Sequence, residues 1–342
     1  DAGESATDTF VYTLSDGTTI TTANITITVL GSNDAPVAQN DTGTILEDGT
    51  LTVSDGDGTS TIAGASFVDS FSVSSQETVP TGLAFNTDGT KMFVLGQNGD
   101  DVNEYTLSTG FDVSTASFVD SFDISSQETD PISLAFNTDG TKMFVVGQNG
   151  DDVNEYTLST GFDVSTASFV DSFDISSQET APYGFAFNTD GTKMFVVGAT
   201  GDDVNEYTLS TGFDVSTASF VDSFSVSSQT TSPTGLAFNT DGTKMFVMGN
   251  SADDVKEYTL TTGFDVSTAS FVGSFSVSSQ ERFPYGLAFN TDGTKMFMLG
   301  TSGDDVNEYT LSTPFSLVNI SGEHTGDVID SSNTSTRDTD VD

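Results

Sequence analysis

Five pairs of adjacent carboxylates, Asp100-Asp101, Asp151-Asp152, Asp202-Asp203, Asp253-Asp254 and Asp304-Asp305, follow one another at intervals of 51 residues. Carboxylate oxygens gathered in a turn are the hard ligands that calcium takes. They are equally the residues of a solvated turn, and that reading needs nothing beyond solubility. No spacing matches an EF-hand, and the calcium nonapeptide GGxGxD does not occur. A second periodic set is cationic: Lys91, Lys142, Lys193, Lys244 and Lys295 share one repeat position. Such regularity points to a charge partner inside each unit and not to a site. Tyr105, Tyr156, Tyr207, Tyr258 and Tyr309 recur likewise and are expected in the core, packed across strands against the Phe93 series.

Catalysis needs unlike groups that converge. The chain has no Cys, one His (His324) and no Trp, so thiolate chemistry is absent and imidazole chemistry has a single donor, in the flank and not in the repeats. Its 51 Asp and Glu against 8 Lys and Arg give a net charge of −43, which repels a phosphate backbone and removes nucleic acid as a partner. No run approaches the roughly 18 apolar residues of a membrane span. The N-terminus has no signal pattern, so any export signal is expected outside this segment.

The elements that must carry these residues are set by repetition. FNTDGTKMF starts at Phe85, Phe136, Phe187, Phe238 and Phe289, and SFVDSF, or SFVGSF in its last copy, starts at Ser66, Ser117, Ser168, Ser219 and Ser270. One unit reads as four short strands: 83–85, 91–95, 102–107, and 67–73 or its copy 118–124. Asp88-Gly89 and Asn98-Gly99 supply the turns between them. No helical period appears. Met92-Phe93-Val94-Leu95 is apolar on both faces, as a strand sandwiched between two sheets must be. The pattern predicts an all-β, five-bladed β-propeller of four-stranded 51-residue repeats over 61–315, with an open stack of sheets as the alternative. An outer-type strand comes first, at Phe67, and the last unit stops after its third strand near Leu311. The orphan strand is therefore expected to complete the last blade.

The segment Pro80-Thr81-Gly82-Leu83-Ala84-Phe85-Asn86-Thr87-Asp88-Gly89-Thr90-Lys91-Met92-Phe93-Val94 resembles the blade signature of YVTN and NHL-type bacterial propellers. The flanks differ. Residues 8–30, DTFVYTLSDGTTITTANITITVL, form two alternating strands around Ser15-Asp16-Gly17 and run into Gly31-Ser32-Asn33-Asp34-Ala35-Pro36-Val37-Ala38. This resembles the C-terminal hairpin and junction of the VCBS or cadherin-like repeats of giant bacterial surface proteins. The resemblance implies a partial cadherin-like β-sandwich domain at 1–37 and the start of a second at 38–60. It further implies a propeller inserted into that second domain, whose continuation is 316–342, truncated, with further tandem domains in the same chain. Insertion is reasonable because a latched propeller brings its ends together. By the same resemblance Asn33, Asp34, Asp338, Asp340 and Asp342 look like calcium ligands of cadherin-like linkers, so calcium is the one cofactor expected.

Differences among the five copies mark the candidate binding face. The turns 86–90 and 108–116 are constant, whereas the connections from fourth to next first strand and from second to third strand vary. In propeller topology the two variable connections share a face. The first set reads Val79/Thr81, Asp130/Ile132, Ala181/Tyr183, Ser232/Thr234 and Phe283/Tyr285, with Arg282 beside the last. Tyr183, Phe283 and Tyr285, read as exposed, with Arg282 would give aromatic stacking and a cationic donor, suited to sugars or peptides, the alternative being relaxed drift in the loops of recently duplicated blades. A sialidase would need an Arg cluster, yet only Arg282 and Arg337 exist. A lactonase-like propeller would need unlike metal ligands around the channel, which near-identical blades do not assemble. The chain is expected to be a non-enzymatic, extracellular or cell-surface bacterial adhesion module with a glycan, peptide or protein ligand. A spacer with calcium-stiffened flanks is the alternative, and a propeller hydrolase or lactonase the remaining one.

Overall fold

The computed structural model describes residues 5–15, 18–30 and 64–317, in two units, 1–62 and 63–342. The first unit contains an antiparallel hairpin of β1 (Ser5–Ser15) and β2 (Ile20–Leu30), paired from Ser5 with Leu30 to Ser15 with Ile20. The expected segment 38–60 and residues 318–342 lie outside the described residues, as do Asn33, Asp34, Asp338, Asp340, Asp342 and His324.

The second unit is a five-bladed β-propeller. Blade 1 runs outward from β4 (Pro80–Phe85) through β5 (Lys91–Gly96) and β6 (Asp101–Leu107) to β7 (Ala116–Asp123). Blade 2 comprises β8 to β11 (131–174), blade 3 β12 to β15 (182–225), and blade 4 β16 to β19 (233–276). Blade 5 has β20 (Pro284–Phe289), β21 (Lys295–Gly300) and β22 (Asp305–Leu311), and takes its outermost strand from β3 (Ala65–Ser72). The latch expected from the strand count is thus formed, from Ala65 opposite Leu311 to Ser72 opposite Asp305. The Val73 N–H donates to Asp304 O at 2.8 Å, and the Ser312 N–H to Gly64 O at 2.9 Å. Innermost strands pack side by side around the axis, β20 against β4 included.

Strand alternation distributes the apolar residues between neighbouring blades. Met92, Val94 and Tyr105 face blade 5, where they meet Phe297 and Leu299. Phe93, Leu95 and Val102 face blade 2, against Met143, Val145 and Tyr156. The tyrosine and Phe93 series thus share a core between blades, as Tyr105 with Phe297, whereas the pairing of Tyr105 with Phe93 inside one blade is corrected. Tyr105 lies opposite Met92 and Phe93 opposite Glu104, so the two rings point to opposite faces. Tyr105 instead meets Phe71 and Phe118 edge-on, at 5.6 and 5.8 Å between ring centres.

The lysine series has its charge partner within each blade. Lys91 Nζ lies 2.6 Å from Glu104 Oε1 and also donates to Phe162 O of blade 2 at 2.5 Å, while Glu104 Oε2 accepts from the Val164 N–H at 3.1 Å. One ion pair therefore ties a blade to the third connection of the next. That connection carries a single 3-10 turn (Val113–Thr115 in blade 1), the one helical element type among the described residues, too short to show a period. Phe111 and its equivalents in this connection have φ between 52° and 57°, unusual for a bulky residue. In blade 1 the conformation is held by the Phe111 N–H donating to Gly89 O at 3.0 Å and by Lys295 Nζ bonding Phe111 O at 2.6 Å. Its ring lies over Gly89, where a Cβ would approach to 2.3 Å, so both the contact and the φ of 72° demand glycine.

Candidate functional site

Both variable connections do lie on one face. In every blade the N–H at the end of the second strand donates to the carbonyl just before the innermost strand, as Gln97 to Val79 (3.2 Å), Gln148 to Asp130 (3.0 Å) and Thr301 to Phe283 (3.2 Å). On this face the second residues of the innermost strands, Thr81, Ile132, Tyr183, Thr234 and Tyr285, stand at equivalent positions around the axis.

Thr81, Ile132 and Thr234 are buried, so they underlie the mouth of the axis without presenting a surface. Thr81 Oγ1 donates to Pro131 O at 2.9 Å, tying blade 1 to blade 2. Tyr183 and Tyr285 come from blades 3 and 5, yet their ring centres are 6.3 Å apart at 37°, so they meet across the mouth past blade 4. Both were expected to be exposed, but this contact leaves them half-buried, and of the three aromatic residues Phe283 is the exposed one, at 52%. Arg282 beside it is exposed, and no ion pair of its guanidinium occurs among the described residues. Val79, at 36%, is the blade 1 equivalent of Phe283.

Asp130 completes the group. Its Oδ1 accepts from Gln97 Nε2 across the boundary between blades 1 and 2. Burial, then the negative charge of Asp100, raises its carboxyl above the ordinary range. The Tyr285 phenol is raised by burial first, then by Tyr183 and by Asp130. The mouth thus offers two facing aromatic rings, a hydroxyl on each, and a carboxylate acceptor held by an amide.

The opposite end of the axis is different. A funnel of about 370 Å³ opens there between the constant turns. The Phe85 series and the Ala84 series line it, Leu83, Leu134, Phe185 and Leu236 form its floor, and threonines form its rim. The rim is linked by hydroxyl-to-carbonyl bonds from Thr87 to Thr138 (3.1 Å), Thr138 to Thr189 (3.4 Å), Thr189 to Thr240 (2.9 Å) and Thr291 to Thr87 (2.8 Å). No lining side chain of the funnel titrates. Sequence comparison of the blades passes over this cavity because its residues are nearly the same in every copy.

The Asp pairs have local roles. Asp100, Asp151, Asp202, Asp253 and Asp304 adopt φ of 48° to 51°, which Asp tolerates better than most side chains. The carbonyl of Asp100 accepts from the Ile124 N–H at 2.8 Å, and Asp101 Oδ1 accepts from Asn103 Nδ2 at 2.7 Å. Among the described residues no three His, Asp or Glu side chains form a ready metal cluster.

No protein-family model matches the chain, and no curated protein matches it. Solved structures do. A protein of unknown function from Desulfotomaculum acetoxidans is 16% identical, with 68% of this chain and 69% of that one covered and a TM-score of 0.44. A candidate 6-phosphogluconolactonase from Bacteroides uniformis is 13% identical, with 69% and 68% covered and a TM-score of 0.43. The periplasmic gluconolactonase of Pseudomonas aeruginosa is 14% identical, with 58% and 53% covered and a TM-score of 0.37. The likeness is one of fold. It assigns no activity to this chain.

Proposed function

We propose that the propeller is a non-enzymatic binding module whose ligand sits on the variable face, over the facing rings of Tyr183 and Tyr285. The observation that carries this reading is that two blades which are not neighbours in the ring supply the only tyrosines at this innermost position, and that the rings meet across the mouth. Aromatic faces beside a carboxylate acceptor suit the apolar face and hydroxyls of a sugar. Phe283 and Arg282 extend the surface outward for a larger glycan or a protein-borne one.

The resemblance of residues 8–38 to VCBS and cadherin-like repeats, together with the hairpin formed there, supports placement in a large bacterial surface protein with tandem domains, outside the cell. A charge of −43 suits a protein kept soluble by self-repulsion. Adhesion to a glycan-coated surface is the role that joins these features.

A glycan array probed with the full chain tests the proposal. Reproducible binding to a defined sugar class, at least 10-fold weakened by Phe283→Ala or Asp130→Asn, is the expected result. A blank array for folded protein would overturn the glycan reading and favour a spacer.

A further inference from the structure

The binding face leaves one buried feature unexplained, behind the turn between the second and third strands. In blade 1 Glu77 has no exposed surface. Its Oε1 accepts from the Val79 N–H at 2.6 Å and the Asn98 N–H at 3.3 Å, whereas Oε2 is buried without a hydrogen-bond partner. Gly96 makes room for this carboxylate, since a Cβ there would stand 1.9 Å from Oε2. Asp100 Oδ1 is also buried and unpartnered, and the charges of Glu77, Asp101 and Asp100 act on one another in turn. Blades 2 and 3 repeat both orphans, in Glu128 with Asp151 and in Glu179 with Asp202. Buried carboxylate oxygens without donors are costly, and nothing within the blade compensates them.

Blade 4 shows what is missing. There Thr230 stands at the Glu77 position and Lys256 at the Asn103 position, so one negative charge is lost and one positive charge gained in the same unit. Lys256 is 2% exposed and its ammonium bonds Asp254. Its Nζ lies 2.8 Å from where a Cβ on Gly249 would be, the place that the Glu77 carboxylate fills against Gly96. Among the described residues, blade 4 is the one blade with no orphaned carboxylate oxygen. In blade 5 the Glu281 oxygens accept from the Ser302 and Gly303 N–H groups, leaving Asp304 Oδ1 alone unpartnered.

We propose that blades 1, 2 and 3 each bind one calcium-type cation between Glu77, Asp100 and Asp101 or their equivalents, and that the Lys256 ammonium takes that cation's place in blade 4. The donors are carboxylate oxygens with no nitrogen or sulfur, a set that suits calcium over transition metals. Binding draws the two Asp side chains toward Glu77 by rotation, because the three do not stand as a finished ligand cluster.

The test is calorimetric titration of the EDTA-dialysed full chain with calcium chloride, with magnesium chloride as comparator. About three saturable calcium sites are expected above the weak, non-saturating background of surface carboxylates, with a rise in Tm of several degrees. Glu77→Thr with Asn103→Lys installs the blade 4 pair in blade 1 and is expected to remove one site. Thr230→Glu with Lys256→Asn does the reverse and is expected to add one. Both pairs already occur at these positions in this chain, so each variant is expected to fold, and either one alone decides the matter. Equal stoichiometry in all folded proteins would overturn the proposal. So would a Tm that responds to acid and not to calcium, since the carboxyls would then be neutralised by protons.

Discussion

A chain that begins at Ser74 is expected to lose about 5 kcal/mol and the sharp single unfolding transition, relative to one that begins at Gly64. Its fifth blade would lack β3, whose residues pair with β22 from Ala65 through Ser72. Val73 is fully buried, Ala65 nearly so, and Phe71 packs edge-on against Tyr105 of blade 1. Burial of Phe71 and Val73 alone contributes about 1.5–3 kcal/mol each. Loss of the latch also exposes the edge of β22, an unpaired strand that invites association between chains. Thermal unfolding followed by circular dichroism, together with light scattering, would check this. Equal midpoints for the two chains would show that the ring does not depend on its borrowed strand.

The second large effect concerns pH. Burial holds the carboxyls of Glu77, Glu128, Asp101, Asp152 and Asp305 above their ordinary values, the backbone and amide hydrogen bonds offsetting only part of it. A carboxyl whose pKa is raised on folding binds more protons in the folded chain than in the unfolded one, in the interval above the ordinary value. Stability therefore falls as pH rises through that interval and recovers as pH is lowered. Exposed Asp88, Asp139, Asp190, Asp241 and Asp292 work in the opposite sense. Hydrogen bonds from the hydroxyl and N–H two residues on hold them below 3.8, and their contribution is lost only as pH falls through those lower values. With chelator present, Tm is expected to increase from pH 7 to about pH 5 and to decline below about pH 4. Relief of self-repulsion among 43 net negative charges acts in the same direction over the upper part of that range. A Tm that increased steadily from pH 5 to pH 7 in chelator would contradict the burial account.

The repeat period, the four strands of a blade and the lysine ion pairs were legible in the residues, because each is repeated five times and rests on local pattern, and the single latch followed from counting the strands: one orphan before the first blade and one missing from the last. Which blade supplies the partner of Tyr105 was not. That depends on strand parity, which sets Tyr105 beside Met92 and turns Phe93 to the other blade. The variable face could be located from which turns differ, but the contact of Tyr183 with Tyr285 could not, since it joins blades 3 and 5 across the axis. Burial of Glu77 was equally hidden, because a Glu before an inner strand reads as a solvated turn residue until Gly96 is seen to make room for it. The joint exchange to Thr230 and Lys256 in blade 4 was the available signal, and it acquires meaning only once both are known to occupy one buried place.

The most direct test of the proposed binding face is the affinity of the full chain for its array-selected ligand before and after Tyr183→Thr with Tyr285→Thr. Threonine is what blades 1 and 4 carry at these positions, so the ring is expected to fold unchanged. Loss of two stacking faces predicts at least a 30-fold fall in affinity, corresponding to about 2 kcal/mol, with Tm nearly unaltered. An affinity that survives the double substitution in a folded protein would place the ligand elsewhere and contradict the assignment of this face.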